Sequence, residues 1–548
     1  MQNNAFSAKI KGVFKRSIES FKNKGRLENK MKLLFLRPFL SGEGYEAPLG
    51  LLYLAAYTRK QVKDIEIQVL DLDVLNLKKQ KATEAIKNAK ADVVCISAFS
   101  YNRFDGFELA RIAKEAGAFV IFGGQHTTYI DEDSLRSFPA IDLIIRGEAE
   151  KTLVEVIEQL KKGKKVDEKI DGVSFLRNGK YIRTKEREFL DVKELPWPAF
   201  DLVPMEKYKY YGIMGGRGCP YNCNFCGSPS FWKRKLRLRE SKDVVDEIEF
   251  LVKKYGRKVV HMKDDVFTAH KIWAGEICDD LIKRNLSIEW ECLTRVNLVD
   301  EGILAKMKAS GCRLIEYGIE SGSEALMSSI NKAISKDMAR KAIEATRKQG
   351  IGYGTFFMIG HPGETPQSLE ETFKFAWELR GNAVTFTLTD AIPGTALYEL
   401  AKQNGYLPKN FSWDKNILNL SGYAVPRFVQ PQLPEEKMLE YSQKFKMRFA
   451  LYKLFDMRSK EDFKYVFTNE YTPFDFSWKT GKDIKLFMAE TMGAIKHKSG
   501  FTQKVKGLIL LPFFCTRIGK VHAVQAYRKL SNIILAKGRI SQEMNLAD

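Results

Sequence analysis

One stretch decides how this chain folds and works: Gly215-Gly216-Arg217-Gly218-Cys219-Pro220-Tyr221-Asn222-Cys223-Asn224-Phe225-Cys226-Gly227. It gathers three of the chain's eight cysteines at the spacing C-x3-C-x2-C. Three thiolates at this spacing can hold three irons of a cubane cluster and leave the last iron open to a small molecule. The stretch therefore predicts a cluster that does chemistry rather than one that supports the fold.

Two other interpretations of the cysteines are weaker. A structural zinc site uses four ligands, and the nearest histidine, His261, lies far along the chain with no ligand pattern around it. A disulfide framework requires more cysteines than eight in 548 residues, five of which are scattered singly. The sequence beyond the cysteines therefore has to separate these interpretations from the cluster.

The region that contains the cysteines alternates strand and helix patterns. Strands are predicted at 211–218, 259–264, 288–295, 313–321, 352–360 and 383–392. Six parallel βα units suggest a partial TIM-like (β/α)6 barrel with its working residues at the carboxyl ends of the strands. Those ends carry the three cysteines, then Asp264-Asp265, Arg295, Glu320-Ser321-Gly322, Gly360-His361-Pro362-Gly363-Glu364 and Pro393-Gly394.

An earlier region, residues 31–160, alternates Val/Ile/Leu-rich strands with helices at shorter intervals. Such alternation predicts an open, doubly wound, Rossmann-like α/β domain that binds a ligand at the carboxyl ends of its strands. Candidate ligand contacts at those ends are Ser97, Ser100, Gly123-Gly124-Gln125-His126 and Arg146-Gly147-Glu148-Ala149-Glu150. Ordinary turn chemistry is the alternative explanation of the same residues.

The remaining segments complete the domain prediction. Residues 166–210 are interpreted as a linker with a hairpin at Asn178-Gly179 and a proline-rich end, and residues 401–548 as an aromatic-rich helical domain. The predicted order is a basic extension (1–30), the Rossmann-like domain (31–165), the linker (166–210), the barrel (211–400) and the helical domain (401–548).

Positive charge is concentrated at the two ends of the chain. Residues 1–30 carry +6 and residues 480–548 carry +8 of the net charge of +21. A nucleic-acid enzyme would spread such charge along its cleft, so no nucleic-acid partner is expected. Apolar residues at helical spacing within 6–21 predict a basic amphipathic helix, with a disordered tail as the alternative, and Leu508–Cys515 is too short to span a membrane. We expect a cytoplasmic protein with peripheral contact to an anionic membrane face.

Taken together, these motifs resemble those of the cobalamin-dependent radical SAM enzymes over residues 31–400. Phe225 stands just before the last cysteine, as an aromatic residue does in the radical SAM motif. Further motifs occur in the order and spacing of that family: Gly123–His126, Arg146–Glu150, Leu195–Asp201, Tyr317–Ser323, Ile359–Thr365 and Pro393–Thr395. Each motif alone is weak, whereas the ordered set is specific.

The resemblance implies three cofactors, namely a 4Fe-4S cluster, S-adenosylmethionine and cobalamin. Cys219, Cys223 and Cys226 would hold the cluster, whose open iron would bind the amino and carboxylate groups of S-adenosylmethionine. The implied contacts around the cluster and S-adenosylmethionine are Phe225, Asp264 or Asp265, Arg295, Glu320, Ser321 and Gly360. The implied contacts of cobalamin are Ser97, Ser100, Gly123, Gly124, His126, Gly147 and Glu148.

Two residues depart from related patterns. The D-x-H-x-x-G motif that supplies a histidine to cobalt in other cobalamin enzymes is absent, because Gly124 stands two positions before His126. We therefore expect no histidine on cobalt, and expect His126 to contact the nucleotide tail or to cap the following segment. His361 stands where the family more often has an apolar residue.

The resemblance implies radical methyl transfer to an unactivated carbon or phosphorus of a small substrate. A cyclisation, rearrangement or oxidation on the same fold is the first alternative, and a non-enzymatic sensor built on cluster and corrinoid is the second. An electron donor such as flavodoxin or ferredoxin is expected as a partner. The basic ends favour a lipid or isoprenoid substrate.

Overall fold

The computed structural model describes residues 30–39, 46–77, 79–256, 258–420, 424–455, 490–491 and 494. The amphipathic helix predicted within residues 6–21 and the apolar segment 508–515 lie outside the described residues. The described chain divides into two units. The first contains the residues up to Leu293, Ala309–Cys312 and Asp390–Arg427; the second contains Thr294–Lys308, Arg313–Thr389 and the described residues from Phe428 onward. The predicted domain boundaries stay a prediction.

A seven-stranded sheet organises the beginning of the first unit. Its strands are β1 (Met31–Arg37), β2 (Ile65–Asp71), β3 (Val93–Ser97), β4 (Phe119–Gly123), β5 (Leu143–Ile145), β6 (Val173–Arg177) and β7 (Lys180–Arg183). They lie in the order β2-β1-β3-β4-β5-β6-β7, and the first five are parallel. The order reverses between β1 and β3, and ligands of such sheets bind outside the carboxyl ends near this point. The doubly wound prediction is confirmed.

Two apolar cores cover the two faces of this sheet, because successive side chains of a strand point to opposite sides. Leu33 and Phe35 of β1 belong to one core, whereas Leu34 and Leu36 belong to the other. The helices of this region are α1 (Leu49–Gln61), α2 (Leu72–Leu75), α3 (Lys79–Ala89), α4 (Arg103–Glu115), α5 (Gln125–Tyr129), α6 (Asp131–Ser137) and α7 (Glu150–Lys161). This arrangement buries the central strands β1, β3, β4 and β5 and leaves their carboxyl ends to form a site.

The hairpin predicted at Asn178-Gly179 joins β6 to β7. Asn178 has φ 52° and Gly179 has φ 79°, and positive φ at both central residues is the geometry of a type I′ turn. β6 pairs antiparallel with β5, so the hairpin extends the first sheet. The first part of the predicted linker therefore contributes two strands to the sheet.

The barrel strands of the first unit are β8 (Tyr211–Ile213), β11 (Val259–Met262) and β12 (Glu289–Thr294), which pair in parallel. Between β8 and β11 lie two short antiparallel strands, β9 (Gly216–Arg217) and β10 (Arg237–Leu238). The single strand predicted at 211–218 is thus interrupted. Gly218, with φ 99°, then turns the chain away from β9 into the cysteine loop. The helices here are α8 (Ser228–Phe231), α9 (Ser241–Tyr255) and α10 (Lys271–Arg284).

The second unit holds most of β13 (Cys312–Glu320), with β14 (Gly352–Ile359) and β15 (Ala383–Leu388), again in parallel. Its helices are α11 (Glu301–Ala309), α12 (Glu324–Ser329), α13 (Lys336–Lys348), α14 (Pro366–Leu379) and α16 (Glu435–Phe455). Helix α15 (Ala396–Gln403), which lies between α14 and α16 in sequence, belongs to the first unit. Phe445 of α16 lies 5.3 Å from the ring of Phe386 on β15. All six strands predicted for the barrel are present.

The segment between α15 and α16 differs from the prediction of a helical region after residue 400. Its described residues form no helix. Pro408, Pro426, Pro431 and Pro434 remove backbone donors and clash with the preceding turn of a helix, so a continuous helix is excluded here.

Among the described residues, no helix is both long enough and apolar enough to cross a membrane.

Candidate active site

The cysteine loop is a tight, hydrogen-bonded segment of the first unit. The Cys226 amide donates to the Cys223 carbonyl at 3.3 Å, and the Ser228 amide donates to Cys226 Sγ at 3.4 Å. From α15, the Leu397 amide donates to the Asn224 carbonyl at 2.9 Å. Cys219 is buried, whereas Cys223, Phe225 and Cys226 are half-buried. The loop therefore keeps its thiols in a fixed and only partly exposed place.

A cavity of about 580 Å³ lies between this loop and the carboxyl ends of β3, β4 and β5. Ten of the residues singled out in the sequence line it: Ser97, Gly123, Gly124, Gln125, Gly147, Glu148, Ala149, Glu150, Cys226 and Asp265. Sequence reasoning missed several others, among them Phe99, Arg217, Ser228, Phe231 and Trp232. The size is typical of a cofactor site. Strand ends more than 70 residues from the cysteines in sequence thus meet them at one cavity.

Glycines let the two sides of the cavity approach each other. A Cβ on Gly227 would overlap the side-chain amide of Gln125, so a larger residue there would displace this side chain and alter the contact between the cysteine loop and α5. Gly147 has φ 65°, and no atom lies within 4 Å of the position of a Cβ there. The cavity wall at Gly147 is therefore open to a bulky ligand.

A buried ion-pair network joins the same two parts. Arg217 donates to Glu148 at 2.8 Å and to Glu150 at 2.7 Å, and Arg237 donates to Glu148 at 2.8 and 2.9 Å. The side chains of Arg217, Glu148 and Glu150 are 7%, 7% and 4% exposed. Burial alone would raise the pKa of Glu148, but the two guanidinium groups hold this pKa below its usual value. The predicted cofactor contact of Glu148 stays a prediction.

His126 does not line the cavity. It is fully buried, its Nδ1 lies 3.1 Å from Ser100 Oγ, and the edge of its ring faces Trp413 at 5.1 Å. Burial, and next the charge of Arg103, lower the pKa of His126 well below its usual value. The imidazole is therefore neutral and lies outside the cavity lining, and the expectation of no histidine on cobalt stays a prediction.

The neighbouring aspartates that follow β11 have different surroundings. Asp264 is buried and accepts a hydrogen bond from the Gly215 amide at 3.3 Å, and burial raises its pKa to about 7. Asp265 is exposed, lines the cavity and accepts from Ser228 Oγ at 2.6 Å. Of the two aspartates predicted near S-adenosylmethionine, Asp265 is the one that lines the cavity.

The other predicted S-adenosylmethionine contacts lie in the second unit. Arg295 donates to the carbonyl of Lys332, and the Lys332 ammonium pairs with Glu320, which is 8% exposed. Sequence reasoning missed Lys332, which brings these two predicted residues together. Ser321 is fully buried with its Oγ 3.1 Å from Thr372 Oγ1, and Gly360, with φ 95°, accepts from Gln430 Nε2 at 2.9 Å.

A charged cluster around His261 was also missed. Its Nδ1 pairs with Glu46 and its Nε2 lies 2.7 Å from Glu291, an ion pair whose angle falls short of a hydrogen bond. Lys263 contacts Glu46 at 2.7 Å, and Tyr210 stacks on the imidazole at 4.1 Å. Burial alone would lower the pKa of His261, but the flanking carboxylates raise it. Glu46 and His261 are 215 positions apart, so no local pattern indicates their pairing.

The three loop cysteines suit a cluster better than a single metal ion. No group of three or more His, Cys, Asp or Glu side chains in the described part of the chain is placed to hold one ion. A cubane cluster binds each thiolate at a different iron, so its ligands need not converge on one point. On the opposite wall, the open position at Gly147 and the small side chain of Ser97 fit a large, flat ligand.

Family models match both parts of the site. Residues 39–157 match the B12 binding domain, and residues 213–376 match the radical SAM superfamily. An uncharacterised methyltransferase of Pyrococcus horikoshii is 35% identical over 376 residues, which cover 67% of this chain and 81% of that protein. The anaerobic magnesium-protoporphyrin IX monomethyl ester cyclase of Rubrivivax gelatinosus is 28% identical, covering 67% of this chain and 70% of the cyclase.

Among solved structures, the radical S-adenosylmethionine methyltransferase TsrM of Kitasatospora setae, with cobalamin and a [4Fe-4S] cluster bound, is similar. The TM-score is 0.65 at 17% identity, and the match covers 92% of this chain and all of the TsrM chain. At this identity the likeness shows the fold, a Rossmann-like domain followed by a TIM-like barrel.

Proposed function

Because this chain belongs to the radical SAM enzymes that carry a B12-binding domain, we propose that it transfers a methyl group to an unactivated carbon or phosphorus of a small substrate. One observation carries the proposal: Cys226 of the cluster loop and the strand ends of the B12-binding domain line the same cavity. A shared cavity allows two cofactors to act on one molecule. The 35% identical methyltransferase of P. horikoshii supports this choice of reaction.

Different residues of the chain would bind the cluster and cobalamin. Cys219, Cys223 and Cys226 would hold the 4Fe-4S cluster, and Ser97, Gly123, Gly124 and Gly147 would hold cobalamin. When bound, the cluster supplies the electron that opens S-adenosylmethionine, and cobalamin carries the methyl group.

Other side chains would shape and orient the site. Phe231 and Trp232 cover part of the cavity wall and would exclude water from the reacting atoms. Asp265, which accepts a hydrogen bond from Ser228 Oγ at 2.6 Å, would receive an ammonium group such as the methionyl amine. Arg217, bonded to both Glu148 and Glu150, keeps the cluster loop in register with the B12-binding domain.

The proposal is tested by anaerobic reconstitution of the full chain with iron, sulfide and cobalamin. The reconstituted protein is incubated with a metabolite extract from a strain that lacks the gene and with S-adenosylmethionine labelled in its methyl group. We expect the label in a metabolite that the deletion strain lacks. Cys226→Ala should abolish transfer, and Cys278→Ala, a fully buried cysteine of α10, is the matched control that should retain it. Label transfer by the Cys226→Ala variant would contradict the assigned cluster.

Ring formation, rearrangement or oxidation without net methyl transfer is the second candidate, because the R. gelatinosus cyclase is 28% identical over 388 residues. The same incubation separates the two, since a cyclase would yield an unlabelled product that has lost hydrogen. A protein that cleaves no S-adenosylmethionine after reconstitution would instead be a sensor of redox state or light.

A lipid or isoprenoid substrate is the finer proposal. It is supported by the charge of +6 on residues 1–30 and +8 on residues 480–548, because basic segments attract anionic headgroups. Sedimentation with vesicles that contain phosphatidylserine should retain the full chain but release a chain that lacks residues 1–30. Equal binding and equal activity of the two chains would remove the reason for a lipid substrate.

A further inference from the structure

A short basic turn packs directly on the cysteine loop. This turn, residues 232–235, is closed by a hydrogen bond from the Lys235 amide to the Trp232 carbonyl at 2.9 Å. Arg234 Nε donates to the carbonyl of Pro220 at 3.3 Å. A Cβ on Gly218 would overlap the Lys235 carbonyl, so the backbone of the turn touches the residue that precedes Cys219. The basic turn therefore contacts the residues on both sides of Cys219, the first of the three loop cysteines.

The basic turn presents three consecutive cations to solvent. Lys233, Arg234 and Lys235 are all exposed. The nearby acid is Glu186, which pairs with Lys233 at 2.7 Å, with both side chains about half exposed. Lys185 and Glu188, exposed on the same segment as Glu186, cancel each other in charge. The surface thus keeps a net positive charge beside the cysteine loop.

Aromatic rings fix the basic turn in place. Lys233 and Lys235 lie 5.8 and 5.9 Å from the centre of the Phe189 ring, and Trp232 lies 6.2 Å from the same ring. Trp232 also lines the cavity that Cys226 lines. The turn therefore extends from solvent at its lysines to the cavity wall at Trp232, a span of a few residues.

We propose that the basic turn is the docking face for an acidic one-electron carrier protein of the flavodoxin or ferredoxin class. The carrier loses one electron and the oxidised cluster gains it, and no bond or proton changes place. The proposal rests on the cluster assigned under the proposed function, and not on methyl transfer. Exposed cations with few neighbouring acids match the acidic face of such a carrier, and complementary charge speeds the encounter of transient partners.

An anionic membrane is a less suitable occupant of this face. Membrane-surface segments place Trp, Phe or Leu toward the acyl chains beside their cations. At the basic turn the three exposed residues are all charged, whereas Phe189 is half-buried beneath Lys233 and Lys235, and Trp232 is half-buried at the cavity wall. The face therefore offers charge without an exposed apolar anchor.

The test compares two double charge reversals in the reconstituted full chain. Lys233→Glu with Lys235→Glu reverses the basic turn. Lys87→Glu with Lys90→Glu is the matched control, because these lysines are also exposed and lie at the amino edge of the first sheet, opposite the cavity. Lys90, with φ 47°, also matches Lys233, with φ 50°, in backbone conformation.

Two readouts are measured for each variant. The first is the stopped-flow rate of cluster reduction by reduced flavodoxin at low ionic strength, beside the rate with photoreduced deazariboflavin, an uncharged small reductant. The second is calorimetric binding of oxidised flavodoxin. We expect the basic-turn variant to lose about tenfold or more in the flavodoxin rate and to bind flavodoxin more weakly, with the difference shrinking as salt rises. The deazariboflavin rate should not change.

Three results would overturn the proposal. The first is a basic-turn variant that reacts with flavodoxin as fast as the control variant. The second is an equal loss with both reductants, which would mean that the turn only supports the cysteine loop. The third is an unchanged flavodoxin rate with lost binding to anionic vesicles, which would assign the face to a membrane. Normal reduction in a protein that transfers no methyl group would leave the docking face intact and refute the proposed reaction alone.

Discussion

Two glutamates of the N-terminal α/β region reach toward the barrel strands, and they do so in different ways. Glu148 meets Arg217 and Arg237, whose charges do not titrate near neutral pH. Glu46 meets His261, whose charge depends on pH, with Lys263 beside it. Both contacts lie within the first unit. We call the contact of Glu148 with Arg217 and Arg237 the Glu148 joint, and the contact of Glu46 with His261 and Lys263 the Glu46 joint. The Glu148 joint keeps its charges across physiological pH, whereas the Glu46 joint can weaken within this range.

The two joints also differ in their position relative to the cavity. The Glu148 joint borders the cavity and the cysteine loop, where a shift of the loop would misplace the cysteines that are proposed to hold the cluster. The Glu46 joint involves residues of β11 and β12, and none of its residues lines the cavity. The chain uses fixed charges where position matters for the chemistry and a titratable group where it matters less.

The largest effect is expected from breaking the Glu148 joint. Arg217→Met leaves Glu150 and part of Glu148 as buried carboxylates without a guanidinium partner. Removing one member of a buried ion pair costs about 3–5 kcal/mol, and we expect this loss in the free energy of unfolding measured by urea titration. The same variant should also hold less iron after reconstitution.

The pH dependence of this joint has a definite sign. Because the pKa of Glu148 is lowered by folding, the stability that it contributes is present above the usual glutamate pKa and is lost as pH falls through the lowered value. The difference between wild type and Arg217→Met should therefore narrow as the pH falls, and the narrowing should begin above the usual glutamate pKa, because burial raises the pKa of a carboxylate that has lost its guanidinium partner. A difference that widened as the pH fell would contradict this ion pair.

A smaller, pH-dependent effect is expected at the second joint. His261→Gln removes an imidazolium that lies between two carboxylates, at a cost of about 1–2 kcal/mol at pH 6. Folding raises the pKa of His261, so its contribution is full below the usual histidine pKa and is lost as pH rises through the raised value. Folding lowers the pKa of Glu46 to about 2, so this partner stays charged throughout.

The measurement is the difference in free energy of unfolding between wild type and His261→Gln at steps from pH 6 to 9. The difference should shrink toward high pH. Lys263→Gln is the matched control, because it removes a cation from the same carboxylate, Glu46, and leaves His261 in place. It should give a nearly level difference. A level difference for His261→Gln as well would show that the joint does not titrate.

The smallest effect is expected at a third joint, which is exposed. Arg59 of α1 makes a bidentate pair with Asp201 at 2.7 and 3.0 Å, and the two side chains are 47% and 49% exposed. Solvent and salt screen such pairs to about 1 kcal/mol or less. Asp201→Asn should therefore change the free energy of unfolding by no more than this, and less still in high salt. A loss as large as that of Arg217→Met would mean that burial does not set the order of the three joints.

The sequence predicted the strands and the ends that line the cavity because both follow local rules. Ser97, Gly123 and Gly147 come at the ends of apolar runs, and parallel strands bring such ends to one edge. The three joints were not predicted, because each pairs residues that are distant in sequence. Glu148 was interpreted as a cofactor contact, whereas its carboxylate oxygens bond Arg217 and Arg237, which are 69 and 89 positions away.

The segment between α15 and α16 shows the opposite kind of error. Two of its aromatic residues, Trp413 and Phe428, belong to the core, with 6% and 2% of their surface exposed. The expectation of helix ignored a local rule that the sequence does contain, because Pro408, Pro426 and Pro431 interrupt any helix there. The aromatic composition of the segment indicated burial, whereas only the prolines indicated that its backbone is not helical.

The hairpin between β6 and β7 offers a practical position for a spectroscopic label. β6 runs antiparallel to β5, so the Asn178-Gly179 turn lies at the edge of the sheet opposite the cavity, about 13 Å of strand away. Gly179 has no atom within 4 Å of the position of a Cβ, although its positive φ favours glycine, so attachment belongs at its exposed neighbour Lys180. A fluorophore on a cysteine at that position would report distance changes to a bound corrinoid without touching the residues that hold it.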